Sequence, residues 1–387
     1  MILPYVSNEG ESAVVSHGFF YVLENFIFEF FHMKSVFIFN PETDIVLGLN
    51  KDSYTPNKHI AYFRKRLSLL PALYANAGDI IVVTGSEDNE FSFYPFFDIA
   101  EAKELRIVRL DNLKSFINDE SEPIAFRPWG WNREILKRLS RNHISFTLLP
   151  SLSFIERLRI LSNRRLTIDF FKKYCYDNKF QSPRYLQTIE DIDDFIDSTP
   201  SFCLKAPWSS SGRGVIFSNC FSRNKIIEWA GGILKTQGGV MGENFYPRKM
   251  DFASEWIVTD KDIEYSGLSL FKSDNNGKYC GNRLLPQHEI ENIIHTNSDW
   301  SPKILNCQKD FIRTYIQPFY QGPLGFDMLV TEDGYINPCV EINIRYTMGH
   351  VAIAVERQMT NDTNPDIAHL LKEKFHDGIF SVQDYIN

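Results

Sequence analysis

The sequence predicts a mixed chain, with an α/β unit built on a parallel sheet followed by an α+β unit rich in strands. Three observations carry this reading. Short apolar runs alternate with helical patterns from Ser35 to Pro150, and strands alternating with helices argue for a covered parallel sheet. Residues 151–199 are patterned almost entirely as helix. From Phe202 to about Ile353 the pattern turns to strands. A chain of 387 residues is long for one core. The expected units are 33–150 (α/β), 151–250 (helical connector and a small lid) and 251–387 (α+β, ending in a helix).

In order along the chain, Val36–Phe39 is a strand that opens into a polar loop, Asn40 to Asp44. Lys58–Leu70 has helical periodicity and stops at Pro71, and Asp79–Thr84 is a buried strand closed by Gly85. Ile99–Glu104 is helical, Arg106–Leu110 extended, Asn132–Ser140 a basic amphipathic helix, and Phe146–Leu149 a short closing strand. The connector holds three periodic helices, Leu152–Leu161, Leu166–Cys175 and Ile189–Ile196. The strands expected after it are Phe202–Lys205, Gly214–Phe217, Phe252–Val258, Tyr265–Phe271, Tyr315–Phe319, Gly325–Val330 and Cys339–Ile344. One helix, Arg223–Thr236, interrupts them, and Pro365–Phe375 is a terminal helix. No internal repeat or low-complexity tract is present.

The first thirty-two residues stand apart. Gly18 to Phe31 is an apolar run broken by Glu24 and Glu29, without the basic start and small-residue cleavage site of a signal peptide. It reads as an upstream extension, with Met33 as the natural start or the run as an amphipathic docking helix. Composition excludes several classes. A net charge of −8 argues against a general nucleic-acid footprint. No stretch of about twenty apolar residues is present for a membrane span. The cysteines are scattered, with no CxxC and no histidine at zinc spacing, so free thiols in a reducing cytoplasm are expected.

Two constellations carry chemistry. The first is Glu341-Ile342-Asn343-Ile344-Arg345, fourteen residues after Asp327 and separated from it by an apolar strand and a Thr331–Gly334 turn. Alternate strand residues share a face, so Glu341, Asn343 and Arg345 line one surface with Ile342 and Ile344 behind. Asp327 can lie alongside. Two carboxylates and an amide oxygen are a hard-oxygen set suited to Mg²⁺, and Arg345 is placed to hold phosphate or carboxylate. The bland alternative is a solvated strand face. The second constellation is Lys205 at the end of an apolar strand, followed by Ser209-Ser210-Ser211-Gly212-Arg213-Gly214. A buried lysine needs an anionic partner, and a Ser/Gly loop offers hydroxyls and N–H groups to phosphate. The loop is neither a Walker A motif nor a dinucleotide fingerprint, and alone it could be a plain hairpin connection.

Taken in order, these motifs resemble the ATP-grasp superfamily over about residues 160–355. Within that resemblance Arg164, in Asn163-Arg164-Arg165-Leu166-Thr167, stands at a phosphate-contacting basic position. Glu243, in Val240-Met241-Gly242-Glu243, resembles the acid of the hinge that holds adenine and ribose, though Gly242 and Asn244 make the hinge atypical. Asp251 matches a second ribose-side acid. The resemblance implies ATP held between a lid and the last sheet, and Asp327, Glu341 and Asn343 as ligands of one or two Mg²⁺ ions, with Mn²⁺ able to substitute. Lys205 and Arg345 are the implied catalytic cations. The implied reaction activates a small-molecule carboxylate as an acyl phosphate for attack by an amine or other nucleophile. A phosphotransferase or a non-catalytic nucleotide-binding protein on the same fold is the rival.

Other residues stay open at this point. Asp251 and Glu255 are either site acids or surface acids. His350 fits a structural histidine better than an acid/base one. Arg127-Pro128-Trp129-Gly130-Trp131-Asn132 frames a cleft or packs between units, and Asn40–Asp44 is a substrate loop or a turn. Specificity is expected in Asn40–Tyr54, Arg127–Asn132 and Gly277–Gln287. Substrate identity and oligomeric state are not legible.

Overall fold

The computed structural model describes residues 33–84, 91–175, 179–209, 214–274, 279–360 and 364–386. The expectations for residues 1–32 and for Ser210, Ser211, Gly212 and Arg213 lie outside them. Among the described residues the strands form three sheets.

The first is parallel. Strands β1 (Lys34–Ile38), β2 (Ile80–Val83), β3 (Arg106–Arg109) and β4 (Ile124–Pro128) lie in the order β3-β2-β1-β4. Successive residues of β1 and β2 enter two cores. Phe37, Ile81 and Val83 pack on one face, and Val36, Ile38, Ile80 and Val82 on the other, which is why these strands read as unbroken apolar runs. Asn57, Asn132 and Ser151 each cap the helix that follows by accepting a backbone N–H. Strand β4 crosses what the sequence reading treated as an aromatic–basic cluster.

The second sheet, β5 (Arg184–Leu186), β6 (Phe202–Lys205), β7 (Val215–Phe217) and β8 (Val240–Asn244), runs β5-β8-β6-β7 with every pair antiparallel. Helices Ile189–Ser198 and Arg223–Gln237 cover it through Ile192, Phe195, Ile226 and Ala230. The third sheet joins β9 (Arg248–Val258), β10 (Ile263–Ser273), β11 (Tyr279–Arg283), β12 (Gly322–Thr331), β13 (Ile336–Asn343) and β14 (Ile379–Phe380) in the order β13-β12-β9-β10-β11-β14. Even-numbered residues of β9 and β10, among them Phe252, Trp256, Leu268 and Leu270, are buried beneath it with Phe326 and Ile342. Odd-numbered residues of β9, and of β10 after its bulge at Tyr265–Gly267, face the opposite side, where the cleft lies.

Two expected strands are corrected. Phe146–Leu148 is a single 3₁₀ turn begun by Ser145, and Phe146 is 76% exposed, so the apolar run has no sheet partner to bury it. Tyr315–Phe319 continues the helix Lys303–Phe311 through a π turn at Ile312–Ile316. Ile312 and Ile316, four apart and both fully buried, carry the true period. The strand-rich half also holds helices Gln287–Asn297 and Met348–Thr360 beyond the one expected.

No helix among the described residues is long and apolar enough to cross a membrane. No disulfide is formed among the described residues.

Candidate nucleotide and metal site

A cleft of about 770 Å³ lies between the second and third sheets, and the upper edge of the first sheet closes one side. Its floor is set by register. Asp327 on β12 pairs with Glu341 on β13 and with Ala253 on β9. One pleat away, Gly325 pairs with Asn343 on one side and Glu255 on the other. Because the side-chain period of a strand is two, Asp327, Glu341, Asn343, Glu255 and Asp251 share the cleft face. Ile342 and Ile344 go into the core beneath, as the alternation requires.

The basic groups come from three different places. Arg164 follows helix Leu152–Leu161 and is 6% exposed. Its guanidinium donates to both Glu341 oxygens at 2.8 Å, to the Ala206 carbonyl at 2.6 Å and to Ser209 Oγ at 2.7 Å. Lys205 ends β6, and its Nζ donates to Glu243 Oε2 at 2.6 Å from the neighbouring strand β8. Arg345 lies just past β13. It donates to Asp44 at 2.9 Å, to Asn343 Oδ1 at 2.8 Å and to the Tyr346 carbonyl at 3.0 Å. Asp44 sits in the first turn of helix Thr43–Leu49, directly after β1, so the loop Asn40–Asp44 reaches the site as a helix start. Trp129, just past β4, accepts the Tyr346 N–H at 3.0 Å. The carboxyl edge of the parallel sheet therefore meets the end of β13, the edge at which open α/β sheets bind ligands.

The electrostatics are unbalanced in one direction. Burial opposes charge on Arg164, Lys205 and Arg345, but Glu341, Glu243 and Asp44 respectively outweigh it and raise each pKa. Burial, and then the neighbouring Glu341 and Glu255, push Asp327 well above the ordinary carboxylate range. Five acids (Asp44, Glu243, Glu255, Asp327, Glu341) thus face three basic side chains. Two negative charges go uncompensated when all are ionised, which suits a divalent cation at the Asp327–Glu341–Asn343 corner. No group of three or more His, Cys, Asp or Glu among the described residues forms a self-contained metal cage. Mg²⁺ does not need one, because it keeps waters and phosphate oxygens in its shell.

The Ser/Gly loop is visible at its two ends. Gly214 has φ +71°, and a Cβ there would come within 2.8 Å of Ser209 Cβ, so only glycine fits. The Ala206 N–H donates to the Gly214 carbonyl at 2.8 Å. Asp251 faces the cleft paired with Arg248 at 3.0 Å, and burial raises its pKa. Arg127 donates to Ser35 Oγ at 3.0 Å on the first sheet, and Trp129 lines the cleft. The sequence reading left Glu255 as a surface acid or a site acid. It is 1% exposed and on the cleft floor. It also missed Ser269 and Thr347, which line the same end. The spacing of Asp251 and Glu255, both odd residues of one strand, was the available signal.

No family model matches the sequence. Solved structures share the fold. The biotin carboxylase of Campylobacter jejuni, solved as a β,γ-ATP complex, superposes with a TM-score of 0.50 at 12% identity, covering 88% of this chain and 70% of that one. The phosphoribosylamine–glycine ligase of Thermotoga maritima aligns with a TM-score of 0.48 at 14% identity, over 89% of this chain and 76% of that one. The chain has the ATP-grasp fold. In sequence it is similar to the [butirosin acyl-carrier protein]–L-glutamate ligase of Niallia circulans, 26% identical over 145 residues. That match spans 37% of this chain and about a third (32%) of the relative's length.

Proposed function

We propose that the protein is an ATP- and Mg²⁺-dependent ligase that activates a carboxylate as an acyl phosphate and joins it to an amine. The observation that carries the reading is the in-register corner of Asp327, Glu341 and Asn343 beside Lys205, Arg164 and Arg345 on one cleft floor. The domain limits 33–150, 151–250 and 251–387 belong to the same proposal. The cleft would then lie where the three units meet.

In this reading Asp327, Glu341 and Asn343 hold Mg²⁺, which when bound neutralises phosphate charge and aligns the transferring group. Lys205 and Arg164 each have an acid partner, Glu243 and Glu341, and are placed to take phosphate oxygens in addition. Arg345 is fixed from two sides by Asp44 and Asn343, so its charge is already positioned where the transferring phosphoryl group develops charge. The end of the Ser209–Gly214 loop is held against Arg164, which links loop position to phosphate binding. Transfer of the γ-phosphoryl group to the substrate carboxylate releases ADP. Attack by the amine on the acyl carbon then forms the amide and releases phosphate. These steps require no protein nucleophile. The phosphotransferase alternative predicts a phosphorylated product without a second substrate, and no observation favours it.

The test is an ADP-release screen in which pools of carboxylates are paired with pools of amines, with Glu341→Gln as control. The relative's name specifies an acyl-carrier protein and L-glutamate, so acyl-carrier protein with L-glutamate is the first pair to try. ADP release by wild type that needs both pools and is lost in Glu341→Gln supports the reading. Equal Mg·ATP binding by the two proteins sinks it.

A further inference from the structure

Two acids on the cleft floor, Asp327 and Glu255, have no lysine or arginine ion-pair partner among the described residues, and Glu255 is the one outside the metal corner. Glu255 is 1% exposed, and no lysine or arginine among the described residues is paired with it. The Ser269 hydroxyl donates to its Oε1 at 3.2 Å, while the buried Oε2 makes no hydrogen bond. Burial pushes the carboxyl up to about 7 against the help of Thr347, Ser269 and the more distant Arg345.

His350 Nδ1 lies 3.1 Å from Oε2, and as a neutral ring it offers nothing to an ionised acid. The Nε2 of His350 lies 3.2 Å from the Trp256 carbonyl, which can only accept, so Nε2 carries the ring proton. Nδ1 in turn accepts the Thr347 N–H at 3.3 Å. Burial holds the ring neutral, with its pKa lowered to about 4. Nδ1 and Oε2 therefore meet lone pair to lone pair. Burying a carboxylate in this way costs stability unless something supplies the missing charge.

Two glycines let the carboxylate lie directly against the backbone. A Cβ on Gly325 would lie 2.5 Å from Oε2, and a Cβ on Gly349 would overlap Oε1. Gly325 is also the residue between Glu255 and Asn343 in their common row. A divalent cation does not suit the Glu255 end, which offers a single carboxylate and hydroxyls. A primary ammonium does. It brings one positive charge and three N–H donors in a small volume.

We propose that Glu255 is the docking group for the ammonium of the amine substrate, on the cleft floor next to the metal corner. What the amine does there rests on the ligase reading above. That it binds there does not.

The experiment follows the thermal midpoint of the full chain saturated with Mg·ADP. The probes are ethylammonium and each of the twenty L-amino acids, with tetramethylammonium and N-acetylated amino acids as controls that lack the ammonium N–H donors. At least one primary-ammonium probe should stabilise wild type while its control does not. Glu255→Gln should weaken that probe at least about tenfold, the worth of one hydrogen bond to a charged group. Glu255→Asp, which keeps the charge, should retain part of the affinity. Mg·ADP stabilisation of each variant reports that its fold and nucleotide site are intact. The proposal is overturned if no primary-ammonium probe stabilises a wild type that binds Mg·ADP, or if Glu255→Gln binds the probe as wild type does. Failure of Mg·ADP to bind wild type overturns the ATP-site reading instead, and amine stabilisation lost in Glu255→Gln would still support the docking group.

Discussion

Buried ionisable side chains are treated differently in two regions of this protein. In the first unit, Lys103 is 6% exposed and its Nζ donates to the carbonyls of Ala72 and Ala75 at 2.8 and 3.1 Å. The charge is used up inside the fold, fastening the 3₁₀ turn Leu70–Leu73 to the end of helix Phe97–Ala102. In the cleft, burial is just as deep, but the acids outnumber the bases and Glu255 and Asp327 are left with raised pKa values. A buried charge fully engaged by its own chain is architecture. One that is left short of a partner points to a ligand.

The largest way to break this contrast is to remove a cleft cation. Lys205→Met strands Glu243, and loss of one partner of a buried pair should lower unfolding free energy by about 3–5 kcal/mol in denaturant titrations without nucleotide. A loss under 1 kcal/mol would mean that the pair is effectively solvated. Next is Glu341→Gln. Outer-shell partners of a metal already cost up to about 100-fold, so loss of a ligand should cut Mg²⁺-dependent ADP release by at least that factor. Third is Glu255→Gln, which should stabilise the ligand-free chain by about 2–3 kcal/mol above pH 7. The sign follows from the folded pKa of about 7 lying above the ordinary 4.5. The carboxylate's cost is absent below pH 4.5 and complete above pH 7, so the gain should vanish in acid. Equal stability of the two proteins at pH 8 would show that Glu255 has a counter-charge after all.

The smallest effect tests the other side of the comparison. Burial lowers the Lys103 pKa from 10.5 to about 8. Between those values the unfolded chain binds more protons than the folded one, so this group makes stability rise with pH, by up to about 2 kcal/mol between pH 8 and 10. Lys103→Met should lose that rise while leaving nucleotide affinity alone. A matching slope in both proteins would place the titration elsewhere.

The sequence was most legible where geometry follows from period. Glu341 and Asn343 could be put on one face because strand alternation requires it, Asp327 could only be said to be able to lie alongside, and the in-register pair Asp327–Glu341 is that arrangement realised. Lys205 was readable as a charge needing a partner, but not which partner. Glu243 reaches it only because β8 inserts between β5 and β6. Arg164 was expected on phosphate, yet here it grips Glu341, a contact across 177 residues that no local pattern encodes. The helices Gln287–Asn297 and Lys303–Phe311 went unread because polar residues surround the few buried ones, such as Ile290, Ile294 and Phe311. Glu255 was undecided because a strand acid looks the same in sequence whether it faces water or a closed cleft. The glycines that make room for it come from β12 and from helix Met348–Thr360, far along the chain.

The contact between Arg345 and Asp44 joins residues 301 positions apart. Domains fold in order as a chain emerges during synthesis, so Asp44 is in place long before Arg345 has been made. Through that interval the parallel sheet carries its acid without the guanidinium, and the β6–β8 pair carries Lys205 and Glu243 without the Asp327–Glu341 corner. A nascent chain can therefore fold its first two sheets before its cleft is complete. The contacts that complete the cleft arrive together, late, with the last strands of the third sheet.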